Sequence, residues 1–150
     1  MIKILFICHG NICRSPMAEF VLKKMVKDRG IENDFMIESA ATTSEEIGNP
    51  VYPPARRTMA EHGISCDGKV ARLMKRRDYD TYDYLIGMDE ENRYDIRRIA
   101  GGDPDGRVFS LLDFSDRPRE VADPWYTRNF EATWRDVNEG CGAFLRFLGY

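Results

Sequence analysis

Met1-Ile2-Lys3-Ile4-Leu5-Phe6-Ile7 is an almost unbroken apolar, β-branched run that stops abruptly at Cys8-His9-Gly10-Asn11. A strand with one wet face alternates polar and apolar residues. A continuous apolar run suits a strand covered on both faces, as in a parallel sheet. Ser15-Pro16 then reads as an N-cap followed by proline at the first helical position. Met17, Phe20, Val21 and Met25 recur at helical spacing until Gly30 stops the helix. A buried strand that feeds a helix through a short polar loop opens a βαβ unit, which constrains everything downstream.

The remaining chain follows that alternation. Phe35 to Ser39 and Asp83 to Met88 read as the second and third strands, and Arg107 to Leu111 as a shorter fourth. Pro50 to Pro54 reads as a loop, Ala55 to His62 as a helix closed by Gly63, and Asp89 to Ile99 as a charged helix. Phe130, Trp134, Val137, Cys141, Phe144, Leu145 and Leu148 form one helical stripe. Gly140 and Gly142 within it cost about 1 kcal/mol each in helix propensity, so packing must hold that helix. The fold class predicted is α/β and doubly wound, a parallel sheet with helices on both faces. No repeat, low-complexity tract or linker interrupts the 150 residues, so residues 1–150 read as a single domain.

Composition narrows the function. Apolar residues make up 43% and aromatics 11%, which are globular values. The run Ile4 to Cys8 is too short for a signal-peptide core, and no stretch approaches a membrane span. The expected compartment is therefore the cytoplasm, with no membrane partner, and four cysteines held there as thiols. A net charge of −3 argues against bulk nucleic-acid binding. Any anion site must be a local arrangement.

Cys8-His9-Gly10-Asn11-Ile12-Cys13-Arg14-Ser15 supplies one. It joins the first strand to the first helix, where α/β sheets place ligands. Such a loop aims backbone N–H groups at one point, and the helix N-terminus adds partial positive charge. Arg14, six residues after Cys8, can fork two donors onto phosphate oxygens. The same field favours a nucleophilic thiolate at the loop's base. Cradle and nucleophile together suit phosphoryl transfer through a cysteinyl-phosphate. Blander readings stand beside this one: a cysteine ending a buried strand is usually a small core hydrophobe, and a Cys-x₅-Arg spacing arises by chance. A metal site is disfavoured, since there is no Cys-x₂-Cys pair and the two histidines are scattered; no cofactor is implied. A nucleotide P-loop is excluded by the lack of its glycine-lysine pattern.

The segment Phe6-Ile7-Cys8-His9-Gly10-Asn11-Ile12-Cys13-Arg14-Ser15-Pro16-Met17-Ala18-Glu19 resembles the signature of the low-molecular-weight protein tyrosine phosphatases. Ser39-Ala40-Ala41-Thr42, Ile47-Gly48-Asn49-Pro50, Met88-Asp89-Glu90 and Asp123-Pro124-Trp125-Tyr126 resemble further family segments in the family's order. The resemblance implies a phosphotyrosine phosphatase I-like fold with a four-stranded parallel sheet, and phosphotyrosine proteins as substrates. It implies Cys8 as nucleophile, Arg14 as phosphate clamp and Asp123 as general acid and base. Asn11, Ser15 and Ser39 are implied as a supporting network behind the loop. Asp123 precedes proline, which biases it to extended backbone on a loop that can carry a carboxyl over the cradle. Ser15 can donate to Cys8, act as a plain helix cap, or do both. Cys8 and Cys13, five residues apart on a curled loop, are candidates for a reversible disulfide; packing under the loop is the alternative role for Cys13. A monomer is expected.

Three positions depart from the family's pattern. His9 stands where an aliphatic residue is common, Glu45 where an aromatic often walls the substrate ring, and Lys69 where a histidine is usual. The substrate pocket is thus expected to be bounded by His9, Glu45, Trp125 and Tyr126. Two relatives in fold are rival readings. Arsenate reduction needs two closely spaced extra cysteines, whereas Cys66 and Cys141 lie 75 residues apart. Phosphoarginine hydrolysis goes with threonine at the place of Ile12.

Overall fold

The computed structural model describes residues 1–150. Four strands, β1 (Ile2–Cys8), β2 (Phe35–Ala41), β3 (Tyr84–Gly87) and β4 (Val108–Ser110), form one sheet in the order β2-β1-β3-β4. Every pairing is parallel. The helices are α1 (Arg14–Asp28), α2 (Pro53–Glu61), α3 (Asp78–Thr81), α4 (Glu90–Ala100), α5 (Pro124–Thr127) and α6 (Phe130–Phe147). Short 3₁₀ turns occupy Glu32–Asp34 and Leu111–Phe114.

The apolar run of β1 is buried on both faces, and its period of two divides the core. Ile4, Phe6 and Cys8 point into a large cluster with α1, α2 and α6. Leu5 and Ile7 point the other way, into a smaller cluster with Tyr79 of α3 and Ile96 and Ala100 of α4. The chain leaves β1 toward β2 on one side and later returns to β3 on the other. Doubly wound sheets open a crevice at that reversal, beside the C-terminal end of β1. Cys8 is the last residue of β1, so it arrives there.

Several boundaries differ from the sequence reading. Helix α1 begins at Arg14 with Cys13 as its N-cap, and no side chain caps it, so Ser15 is not a helix cap. Its hydroxyl is engaged elsewhere, as described below. Helix α2 starts at Pro53, inside the stretch expected to be a loop; proline's fixed φ suits the first turn. Strand β4 ends at Ser110, because Leu111 enters the 3₁₀ turn, and α3 and α5 are single turns too short to register as a period.

The two glycines of α6 have different reasons. A Cβ at Gly140 would lie 2.5 Å from Leu111 Cγ, so glycine lets α6 close onto the turn after β4. At Gly142 the nearest atom a Cβ would meet is the tip of Arg146 at 3.7 Å, and nothing in the structure explains the glycine. Gly140→Ala should therefore destabilise the protein by about 1–3 kcal/mol through overpacking. Gly142→Ala should stabilise it by about 0.5–1 kcal/mol through helix propensity. Denaturant unfolding of both variants checks the pair; gains of the same size would show that Leu111 yields at no cost.

Candidate active site

The loop between β1 and α1 curls tightly. Asn11 takes a left-handed backbone, φ 58°, a conformation asparagine tolerates better than most residues. The backbone amides of residues 9 to 14 donate to no acceptor of the protein. Backbone amides are almost always paired, so a run of six free donors at a helix N-terminus leaves a place where an anion could be received.

Asn11 locks the curl from behind. Its Nδ2 donates to Ser15 Oγ (2.7 Å) and to Ser39 Oγ (3.0 Å), and its Oδ1 accepts from the Arg72 amide (3.2 Å). Ser39 Oγ in turn donates to the buried carboxylate of Glu19 at 2.5 Å. Lys69 donates to the Ser39 carbonyl (2.9 Å) and lies 3.4 Å from Glu19. Burial pulls the Lys69 ammonium below its usual pKa, while Glu19 opposes that shift. The network reaches the sulfur through Ser15. Its amide donates to Cys8 Sγ at 3.4 Å and its Oγ lies 3.0 Å from the same atom. Because that Oγ already accepts from Asn11, its proton is free to point at the sulfur.

Arg14 is buried, and its charge is compensated on one edge. Nη1 donates to Asp89 Oδ2 (2.7 Å) and to the Val121 carbonyl (2.9 Å). Nη2 lies 3.5 Å from Asp123 Oδ2. Burial works against the guanidinium charge, but Cys8, Asp89 and Asp123 outweigh it and leave the pKa above the ordinary arginine value. Asp89 is itself held in place, since it caps α4 by accepting from the Asn92 amide (2.8 Å) with its other oxygen. Arg14 also lines the pocket at the end of β1.

Asp123 is not simply in a loop. It is the N-cap of α5, and its Oδ1 accepts from the Trp125 amide at 3.0 Å. One pocket brings together the buried Cys8, Cys13 and Arg14 at its floor, with His9, Gly10, Ile12, Glu45, Asp123, Trp125 and Tyr126 around them. Asn11, Ser15 and Ser39 lie behind the loop and do not line it. Glu46 lines the pocket as well, a residue the sequence reading did not single out. His9 Nε2 and Glu45 Oε2 sit 3.0 Å apart, so two of the three departures from the family's pattern meet at the rim. Tyr126 is largely exposed, and Trp125 packs on Tyr52 with ring centroids 5.0 Å apart. No group of three or more His, Cys, Asp or Glu side chains is placed to hold a metal ion.

A family model described as low molecular weight phosphotyrosine protein phosphatase matches residues 3–149. The chain belongs to that family. Among its relatives, the low molecular weight protein-tyrosine-phosphatase YfkJ of Bacillus subtilis is 38% identical over 147 residues, covering 97% of this chain and 94% of that protein. The low molecular weight phosphotyrosine protein phosphatase of Gallus gallus is 39% identical over 148 residues, 95% of this chain and 93% of that one. The crystal structure of YfkJ superposes with a TM-score of 0.94, covering 99% of this chain and 95% of that one. A structure of a Drosophila arginine phosphatase, 26% identical, superposes with a TM-score of 0.90 over 99% of each chain.

Sequence reasoning about this low molecular weight phosphatase missed Asp89, Glu19 and Lys69 as partners of the loop, although signals existed. Asp89 follows β3 and precedes a helix, at the strand ends where α/β sites gather. Glu19 sits one turn after Ser15 on α1, on the same face. The Val121 carbonyl has no signal at all, because any residue type could supply it. Asp89→Ala removes both the α4 cap and the buried partner of Arg14, and should cost about 3–5 kcal/mol. Asp89→Asn keeps an oxygen for the Asn92 amide and should recover about 1 kcal/mol of that loss. Urea unfolding separates the two; identical losses would mean the cap contributes nothing.

Proposed function

We propose that this chain is a protein-tyrosine-phosphatase that hydrolyses phosphotyrosine and other aryl phosphate monoesters through a cysteinyl-phosphate. The observation that carries the reading is the run of unpaired amides from residue 9 to residue 14, curled beside Cys8 Sγ. A phosphate dianion on those amides and the open edge of Arg14 leaves its phosphorus in front of the sulfur. The thiolate attacks in line, forming the S–P bond as the aryl P–O bond breaks. Asp123, protonated, gives its proton to the departing phenolate. Ionised, it then takes a proton from the water that attacks phosphorus. The S–P bond breaks, phosphate leaves, and the electron pair returns to sulfur, where the Ser15 hydrogen bonds stabilise it.

The pocket favours an aryl ester. Ile12 and Trp125 give it apolar walls, and Trp125 and Tyr126 stand exposed at the mouth for a phosphotyrosine protein to meet. The two remaining cysteines are poorly suited to an arsenate relay. Cys66 and Cys141 are both buried in the large core cluster, and burial raises the pKa of each thiol. All the groups come from one chain, which is consistent with action as a monomer. Four free thiols suit a reducing, cytosolic setting.

Cys8→Ser should release no phosphate from a phosphotyrosine peptide yet still bind inorganic phosphate, and Arg14→Lys should also fail, lacking the bidentate fork. Asp123→Ala should slow phosphotyrosine hydrolysis by about 10²–10⁴-fold but p-nitrophenyl phosphate far less, since its acidic phenol leaves unaided. Wild-type rates in Cys8→Ser, or faster release from phosphoarginine than from phosphotyrosine, would overturn the reading.

The same site supports a redox brake. Peroxide would oxidise the Cys8 thiolate to a sulfenic acid, and Cys13 would attack that sulfur, forming the disulfide and releasing water. Cys13 is buried at the pocket floor, and burial together with Cys8 pushes its pKa up to about 12. It therefore remains a thiol at neutral pH, and ring closure is expected to be slower than with an acidic partner. After peroxide and then dithiothreitol, wild type should regain activity and Cys13→Ser should recover far less. Equal recovery would reduce Cys13 to a packing residue.

A further inference from the structure

Helix α5 is a single turn with Asp123 at one end and Arg128 at the other. The Arg128 amide donates to the Pro124 carbonyl at 2.9 Å, closing the turn. Arg128 has φ 59°, a left-handed conformation that glycine adopts without strain and arginine does not. An arginine kept at such a position points to a task for its side chain.

That side chain reaches back over the aromatic cluster beside the pocket. Its guanidinium lies 5.6 Å from the Tyr52 ring, 5.9 Å from Trp125 and 5.7 Å from Phe130, distances at which a cation is attracted to an aromatic face. Nη2 also donates to Tyr52 Oη at 3.2 Å. Tyr52 is in turn fixed to the phosphate-binding loop, because its amide donates to the Ile12 carbonyl at 2.9 Å. A continuous path therefore runs from the loop through Tyr52 to Arg128, and through the closed turn to the Asp123 carboxyl.

We propose that Arg128 is a positioning residue, clasping Tyr52 so that the turn bearing Asp123 is held at a set height over the phosphate loop. The proposal rests on the reading of Asp123 as general acid. Proton transfer needs heavy atoms within about 2.6–3.2 Å, so a turn free to swing loses acid catalysis while the cradle and nucleophile stay intact. Arg128 does not line the pocket that holds Cys8; it acts through Asp123.

Arg128→Gly is the discriminating variant. It removes the clasp but leaves a backbone that glycine adopts without strain, which offsets part of the lost contacts, so it should fold with a melting temperature close to that of wild type. Its rate on p-nitrophenyl phosphate should stay within about 2-fold, while its rate on phenyl phosphate, a poor leaving group, should fall about 10-fold, as expected of a small misplacement. In an Asp123→Asn background the same substitution should change neither rate further. Equal loss on both esters, no loss on either, or a full additional loss in the Asp123→Asn background would each overturn the positioning role. If Asp123→Asn alone were indifferent to the leaving group, the general-acid reading would fall, and this proposal with it. Selective loss in Asp123→Asn but not in Arg128→Gly would remove the positioning role only.

Discussion

One side chain, that of Asn11, carries the geometry on which the site depends. Amides 9 to 14 are left without protein acceptors on a loop that turns through a left-handed residue, and that turn is held by three hydrogen bonds to a single side-chain amide group. Each bond ties the curl to a different part of the molecule: Ser15 on α1, Ser39 on β2, and the backbone at Arg72. A loop full of unpaired donors would otherwise relax toward acceptors of its own. The rigidity resides behind the cradle, and the binding surface in front of it is left free.

Electrostatics complement that frame. Arg14 is a buried cation whose desolvation is offset by Asp89 and Asp123, two carboxylates with separate tasks. Asp89 is immobilised by its capping bond to α4 and holds one edge of the guanidinium. Asp123 sits on a short turn at the pocket wall, more exposed than Asp89. The chain thus keeps one acid fixed as a counter-ion and another near the mouth.

Positions that depart from the family's pattern lie in two groups. His9 and Glu45 meet each other at the rim, Nε2 to Oε2, so the Glu45 carboxylate is engaged by its neighbour. Lys69 belongs to the buried network of Glu19 and Ser39 behind the loop. Its ammonium lies beside the buried Glu19 carboxylate, whose charge opposes the lowering of the Lys69 pKa by burial. Neither group replaces Cys8 or Arg14, and His9 contributes its backbone amide to the loop whatever its side chain.

The sequence by itself determined what depends on short spacing. The buried run of β1, the loop that ends it, the helix after Pro16 and the interval from Cys8 to Arg14 are all local, since backbone periodicity and six residues of chain set them. Sequence also misread one local feature: Ser15 looked like a cap, but its hydroxyl is taken by Asn11 and Cys8, and α1 starts at Arg14. Ser39 and Asp123 were implied by the family resemblance, but tertiary structure alone brought the other distant groups to the loop. Asp89 meets Arg14 across 75 positions because β3 lies beside β1 in the sheet, and Arg128 meets Tyr52 across 76 because α5 folds back over the start of α2. Pairing of charges and rings across such distances follows strand order and packing, and no spacing along the chain encodes it.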